Sequence, residues 1–327
     1  MLTWNIISSK DRLQAFGKIT NRALLFPLFV ASTLFYSITF STFVCSITIS
    51  MKTIANKIEE GLANDYSDGE IKALTRIITT ELLGVSQMAF YLKDDIPLTA
   101  EQQTLLDNAI ERLKKQEPIQ YILGYCDFCG LRFKVTPATL IPRPETSELV
   151  EWIASEATGK ESILDIGTGS GCIAVSLAHK LPQSEVTAWD ISPDALAVAT
   201  ENSKANGLAV TFEQVDILAY ESSGEQFDII VSNPPYIKEN EKEAMHSNVL
   251  DWEPHTALFV PDSDPLLFYR TIAQKGLMLL KPGGRLFFEI NRAHGKETME
   301  MLAALGYTGI ELRKDFAENE RMIRAVK

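Results

Sequence analysis

Two kinds of patterning divide this chain. From Ala23 to Met51 there are 29 residues without one charged side chain. From Lys52 through residue 117, charged and apolar positions recur at the spacing of helices that bury one face. Ser67 and Glu70 stand three apart ahead of Ile71, Leu74, Ile77 and Ile78, the spacing of a reciprocal N-terminal cap, and Gly84 closes the segment. Thr99 and Gln102 repeat the device ahead of Leu105, Leu106, Ala109, Ile110 and Leu113, and Pro118 ends that helix. These stripes predict the core faces of a small helical domain.

After Pro118 the pattern changes again. Gly124, Gly130, Pro137 and Pro142 punctuate short runs such as Leu131 to Val135, which predicts a hairpin linking two domains. From Ser147 onward strand-like runs alternate with helical ones: Ile163–Ile166, Val186–Trp189, Val210–Phe212, Phe227–Val231 and Arg285–Ile290. That alternation predicts an α/β fold, a doubly wound parallel sheet with helices on both faces. No internal repeat is visible.

The chain is 46% hydrophobic and 23% charged over 327 residues, which excludes collagen, low-complexity and disulfide-stapled miniprotein classes. The net charge of −12 conceals an asymmetry. Residues 1–51 hold Lys10, Arg12, Lys18 and Arg22 against Asp11, giving +3; the remainder holds 27 basic against 42 acidic groups, giving −15. So acidic a body argues against a protein that lives by gripping phosphate backbones. Four cysteines point to a reducing compartment and a cytoplasmic location.

Residues 1–50 form an apolar leader with two readings. At about 1.5 Å per residue, a helix of the uncharged run exceeds the ~30 Å hydrocarbon core, so it fits a membrane anchor. The preferred expectation is a misassigned start, with the working protein beginning at Met51. A signal peptide fits less well, because no small-x-small site ends the run.

The first strand of the α/β region ends in Asp165-Ile166-Gly167-Thr168-Gly169-Ser170-Gly171, and a helical run follows. Alternate glycines let backbone turn tightly and approach a ligand where a Cβ would collide. The spacing is G-x-G-x-G rather than the dinucleotide G-x-G-x-x-G. Asp190 ends the next strand, where a carboxylate accepts both hydroxyls of a ribose. Together they point to S-adenosylmethionine, an adenosine ligand without phosphates. Asp216 and Ile217, after the third strand, are candidates to hold the adenine amino group and to cover its ring.

The fourth strand runs into Asn233-Pro234-Pro235-Tyr236. Two prolines fix φ and remove N–H groups, so the loop displays carbonyls on a stiff frame. The Asn233 side-chain oxygen and the Pro234 carbonyl can accept both hydrogens of a planar NH₂ group, and Tyr236 can stack on its flat face. An amide nitrogen is a poor nucleophile, so orientation and electrostatics carry the rate. No dedicated base is evident; the proton leaves once the nitrogen becomes cationic.

With these residues the chain resembles class I S-adenosylmethionine-dependent methyltransferases. It more specifically resembles the HemK/PrmC family, which methylates the glutamine of the Gly-Gly-Gln motif in class I peptide-chain release factors. The shared elements are Pro118-Ile119-Gln120-Tyr121-Ile122-Leu123-Gly124, Leu140-Ile141-Pro142-Arg143-Pro144-Glu145-Thr146, the Gly167–Gly171 loop and Asn233–Tyr236. The resemblance spans residues 52–327 and implies a seven-stranded sheet. It implies a helical substrate-recognition domain at 51–118, a hairpin linker at 119–146 and an S-adenosylmethionine-binding catalytic domain at 147–327. It also implies that Gly167, Thr168, Gly169, Ser170, Gly171, Asp190 and Asn233 bind cofactor and that Asn233, Pro234, Pro235 and Tyr236 hold the glutamine. Arg143 and Glu145 would brace the hairpin against the site. Two positions depart from the family pattern: Ile217, often aromatic, and Ser147, usually an acid.

The implied partners are release factors, with no direct nucleic acid, and a membrane only if residues 23–51 are an anchor. Rival readings are a ribosomal-protein glutamine or nucleic-acid amino-group methyltransferase, and a tethered non-catalytic binding protein. Cys126 and Cys129 form a C-x-x-C with no second pair to complete a zinc site, and the four histidines lack ligand spacing, so no metal is expected.

Overall fold

The computed structural model describes residues 47–92, 95–221 and 224–327. The expected leader, as far as residue 46, lies outside them. Strand β1 (Ile47–Ser50) leads into α1 (Met51–Leu62), and α2 (Asp68–Ile77) follows. Ser67 and Glu70 close the anticipated cap: the Ser67 N–H donates to Glu70 Oε2 at 2.9 Å, and the Glu70 N–H donates to Ser67 Oγ at 3.4 Å. One π turn (Ile78–Leu82) extends α2 before Gly84. Helix α3 (Gln87–Leu92), strand β2 (Asp95–Leu98) and helix α4 (Ala100–Lys114) complete the region. The Thr99–Gln102 cap forms too, and Gln102 Nε2 also donates to the Leu83 carbonyl at 2.7 Å, tying the start of α4 to the end of the π turn.

The pairing of β1 with β2 is a departure from an all-helical reading of 52–117. They run antiparallel, Ile47 opposite Leu98 and Ser50 opposite Asp95. Pro97 bars a helix there and is tolerated in a two-stranded edge. Ile54, Ile58 and Leu62 of α1 pack with Ile78, Leu106 and Leu113 in one apolar cluster. Leu105, expected in the same stripe, is exposed.

The linker opens with a helix that the turn-rich sequence did not suggest, α5 (Ile119–Leu123), ended by Gly124 at φ +79°. Strands β3 (Tyr125–Phe128) and β4 (Leu131–Lys134) then form the expected hairpin around Cys129 and Gly130. Beyond it come α6 (Pro144–Glu156), β5 (Ser162–Ile166), α7 (Cys172–Lys180), β6 (Glu185–Asp190), α8 (Pro193–Ala205), β7 (Thr211–Gln214) and β8 (Phe227–Ser232). The short β9 (Ile237–Lys238), α9 (Ser247–Leu250) and β10 (Phe259–Val260) precede α10 (Leu267–Leu279), β11 (Leu280–Glu289), α11 (Gly295–Ala304), β12 (Thr308–Lys314) and β13 (Glu320–Val326).

Seven of these strands form one mixed sheet in the order β12-β13-β11-β8-β5-β6-β7. β11, β8, β5, β6 and β7 run parallel, and β13 runs antiparallel to both neighbours. Successive strand residues serve opposite faces. Ile163 and Ile229 pack with Leu149, Ile153 and Leu177 on one face; Leu164 and Ile230 pack with Tyr269, Ile272 and Leu302 on the other. Both faces are thus helix-covered, as near-continuous apolar strands require. Among the described residues no helix is long and apolar enough to cross a membrane.

In the helical region α1 and α4 approach closely at Gly61: a Cβ there would lie 2.7 Å from Ile110 Cγ2. Gly61→Ala is therefore expected to destabilise the protein by about 1–3 kcal/mol through overpacking. A denaturant midpoint equal to that of the unsubstituted protein would contradict this packing.

Candidate active site

The sheet supplies the site at the carboxyl ends of its parallel strands. Ile166 ends β5 opposite Ser232, which ends β8, and opposite Trp189 in β6; Ser232 in turn faces Phe288 of β11. The chain moves outward from β5 to β6 and β7, then returns to the other side of β5 as β8. Such a switch point leaves a crevice beyond the strand ends, where open α/β sheets bind ligands.

The glycine loop crosses this crevice and is held from several sides. Gly167 N and Thr168 N both donate to the Trp189 carbonyl, at 2.8 and 3.0 Å. Thr168 Oγ1 donates to Asp165 Oδ2 at 2.6 Å. Asp165 is fully buried, and burial pushes its carboxyl up to about 7 against the opposing effect of the Thr168 hydroxyl. Asn202 of α8 donates to the Ser170 carbonyl at 2.8 Å and to the Lys134 carbonyl at 3.0 Å, while its Oδ1 accepts from Lys134 N at 2.6 Å. One buried amide thus joins the glycine loop to the β3–β4 hairpin.

A cavity of about 420 Å³ opens over the loop. Gly167, Thr168, Gly169, Ser170, Asp190, Asp216, Ile217, Asn233, Pro234 and Pro235 all line it. Gly171 does not. It sits at φ +79° behind the loop, where a Cβ would be 3.1 Å from Ala199 Cβ, so this glycine serves the turn and the approach of α8. Tyr236 is also absent from this lining. With Asn233 and Pro234 it borders a second, smaller cavity of about 80 Å³, joined by Leu140, Arg143 and Glu289. Asn233 and Pro234 line both cavities.

The large cavity suits an adenosine ligand. A Cβ on Gly167 or Gly169 would meet nothing within 4 Å, so the glycine backbone faces open space that a ligand can fill. Asp190 accepts from Gly169 N at 2.8 Å and from Ser192 N at 2.9 Å, one bond to each oxygen, which leaves lone pairs for two hydroxyls. Burial raises the Asp190 carboxyl, and the backbone donors hold it partly down. Asp216 Oδ1 accepts from Leu218 N at 2.9 Å, which fixes the turn that presents Ile217. Phe259 and Phe268 line the same cavity, so aromatic surface is present although position 217 is aliphatic.

Several site residues carry no signal in the motifs. Glu253 is 3% exposed; it accepts from Ile141 N at 3.1 Å and from Arg143 Nη2 at 2.5 Å. Arg143 thereby braces the linker, and Thr146 adds a tie that was not expected: Thr146 Oγ1 donates to Glu289 Oε2 at 2.6 Å. Glu289 had one sequence signal, a lone charge inside the apolar run Leu286-Phe287-Phe288-Glu289-Ile290. Ser147 donates to the Pro144 carbonyl at 2.5 Å, a local bond of the α6 start. Cys126 and Cys129 lie on the hairpin with thiols raised by burial, that of Cys126 to about 12, and no metal-ligating cluster occurs among the described residues.

Comparison with known proteins agrees in both halves of the chain. Residues 56–124 match the PrmC N-terminal domain and residues 145–251 match the methyltransferase small domain. The release factor glutamine methyltransferase of Bacteroides thetaiotaomicron is 49% identical over 276 residues, covering 84% of this chain and 99% of that protein. That of Flavobacterium psychrophilum is 45% identical over 84% of this chain and 98% of its own length. That of Geobacter sulfurreducens is 40% identical over 71% and 81%.

Asp190→Ala is expected to weaken S-adenosylmethionine binding by about 10–100-fold, the effect of losing a charged hydrogen-bond acceptor. Titration calorimetry reads it directly, and an unchanged affinity would remove Asp190 from the cofactor site.

Proposed function

The chain belongs to the release factor glutamine methyltransferase family and is an S-adenosylmethionine-dependent protein-glutamine N-methyltransferase; on that premise we propose that it methylates the side-chain amide of the glutamine in the Gly-Gly-Gln motif of class I release factors. The observation that carries this reading is the sharing of Asn233 and Pro234 between the two cavities. The large cavity has room for the cofactor; the other is small, and its lining includes Asn233 and Pro234, which offer acceptors.

The cofactor, when bound, supplies an electrophilic methyl on a sulfonium. Gly167–Ser170 and Asp190 would hold it, and Asp216 with Ile217 would bound its adenine end. Asn233 Oδ1 and the Pro234 carbonyl accept the two amide hydrogens, which fixes the nitrogen at the junction of the cavities. Those acceptors also stabilise the positive charge that develops on nitrogen, a preorganised electrostatic effect. The Tyr236 hydroxyl lies 3.5 Å from Glu289 Oε1, and its backbone carbonyl accepts from Asn291 Nδ2 at 3.2 Å, so the ring is fixed beside the small cavity. Burial raises the Tyr236 phenol well above its ordinary value, which keeps it neutral. The amide passes its proton to solvent water after the nitrogen becomes cationic.

The acidic body disfavours a nucleic-acid substrate and suits a basic protein surface. Location in the cytoplasm follows from the same reading, as the compartment in which release factors work.

Two measurements test the reading. Labelled S-adenosylmethionine should transfer its methyl to a release factor and not to the variant with Gln→Ala in the Gly-Gly-Gln motif; equal labelling of both would refute the glutamine assignment. Asn233→Ala should lower kcat by about 10²–10³-fold with unchanged folding, as removal of a transition-state hydrogen-bonding group does. A near-normal rate would remove the Asn233 mechanism.

A further inference from the structure

We propose that Glu289 is a positioning residue: its carboxylate holds the Asn233 amide with Nδ2 turned toward it, so that Oδ1 faces the small cavity. The inference deepens the function proposed above and rests on it. Phe288 and Ser232 are partners in the β11–β8 register, so the next residues, Glu289 and Asn233, leave adjacent strands side by side. Glu289 is 1% exposed and lines the small cavity. Its Oε2 accepts from Thr146 Oγ1 at 2.6 Å and its Oε1 lies 3.5 Å from the Tyr236 hydroxyl; Asn233 lines the same small cavity, and its side chain helps to hold the Glu289 carboxyl down.

The chemistry follows from what each group can do. An ionised carboxylate only accepts, so the face of Asn233 turned to it must be the NH₂ face. The acceptor face then meets the substrate, whose own NH₂ needs acceptors. A primary amide has no intrinsic preference between its two flips; its network chooses. Protonated Glu289 can donate to Asn233 Oδ1, which admits the flip that sets NH₂ against NH₂. Burial raises the Glu289 carboxyl to about 7. Arg321 of β13 opposes that rise and Glu145 of α6 adds to it. Tyr269 of α10, Tyr236 and Arg143 also lie in this electrostatic neighbourhood, and Arg321 is shared with Asp315 at 3.0 Å. The carboxylate form, and with it the productive flip, is therefore present above the midpoint and lost below it.

The test uses the full chain with a release factor between pH 6 and 9. The unsubstituted enzyme should lose kcat below about pH 7 with a one-proton slope, about tenfold per pH unit. Glu289→Gln should abolish that limb and lower kcat at pH 8 by about 10²-fold, the cost of a misplaced reacting group, with S-adenosylmethionine affinity unchanged. Glu289→Asp should retain a limb. If Glu289→Gln does not fold, Thr146→Val should move the limb to higher pH, because it removes a donor that favours the ionised carboxylate. A folded Glu289→Gln with the original limb and rate, or a Thr146→Val limb that does not move, overturns the proposal. The Asn233 side-chain ¹⁵N–¹H signals, followed by NMR without release factor, should titrate with the same midpoint and stop doing so in Glu289→Gln. Absence of release-factor labelling at every pH would refute the substrate assignment alone, whereas an Asn233 amide that ignores pH would refute the role of Glu289 alone.

Discussion

Everything in the site depends on the parallel pairing of β5 with β8. That register places Ile166 opposite Ser232, so the glycine loop and the Asn233 loop leave the sheet at the same level from neighbouring strands. Parallel strands cannot be joined by a tight turn, and the crossover helices they need cover both faces and leave only the strand ends open. The large cavity and the small cavity share lining residues at that opening. A slip of the pairing by one residue would turn Asn233 to the opposite face of the sheet relative to the glycine loop.

Carboxylates organise the ground around this opening. Asp165 receives the Thr168 hydroxyl, Asp190 receives two backbone N–H groups, Glu253 receives Ile141 N and Arg143, and Glu289 receives Thr146. Asp165, Glu253 and Glu289 are buried and Asp190 is half-buried; each receives at least one specific donor, the condition under which burial is tolerated, although Asp165 Oδ1 has no hydrogen-bond partner among the described residues. Three of them reach out to other segments, so the linker and the start of α6 are positioned by the same groups that shape the cavities. Asn202 adds a fourth tie by bonding both the hairpin and the Ser170 carbonyl. A displacement of the hairpin would therefore be felt at the glycine loop.

Much of this was legible in the residues. Both capping boxes, the hairpin and the five strand-like runs follow from local spacing, because caps and period-two burial are short-range effects. The glycine loop and Asn233–Tyr236 stood out because their composition is costly anywhere else. What escaped the reading is of another kind. The β1–β2 pair joins segments almost fifty residues apart, α5 hides in a turn-rich stretch, and Gly171 serves helix packing at Ala199 rather than the cavity.

By itself the sequence determined the α/β class and singled out the glycine loop and the Asn233–Tyr236 tetrapeptide, since these are read from local spacing and backbone preference. Only the tertiary structure decided that Asn233 and Pro234 stand at the junction of two cavities, and that Thr146, Asn233 and Glu289 meet although they lie far apart in the chain. Such meetings depend on strand order and register. Those are set by the packing of whole faces against helices, and no short window of residues carries that information.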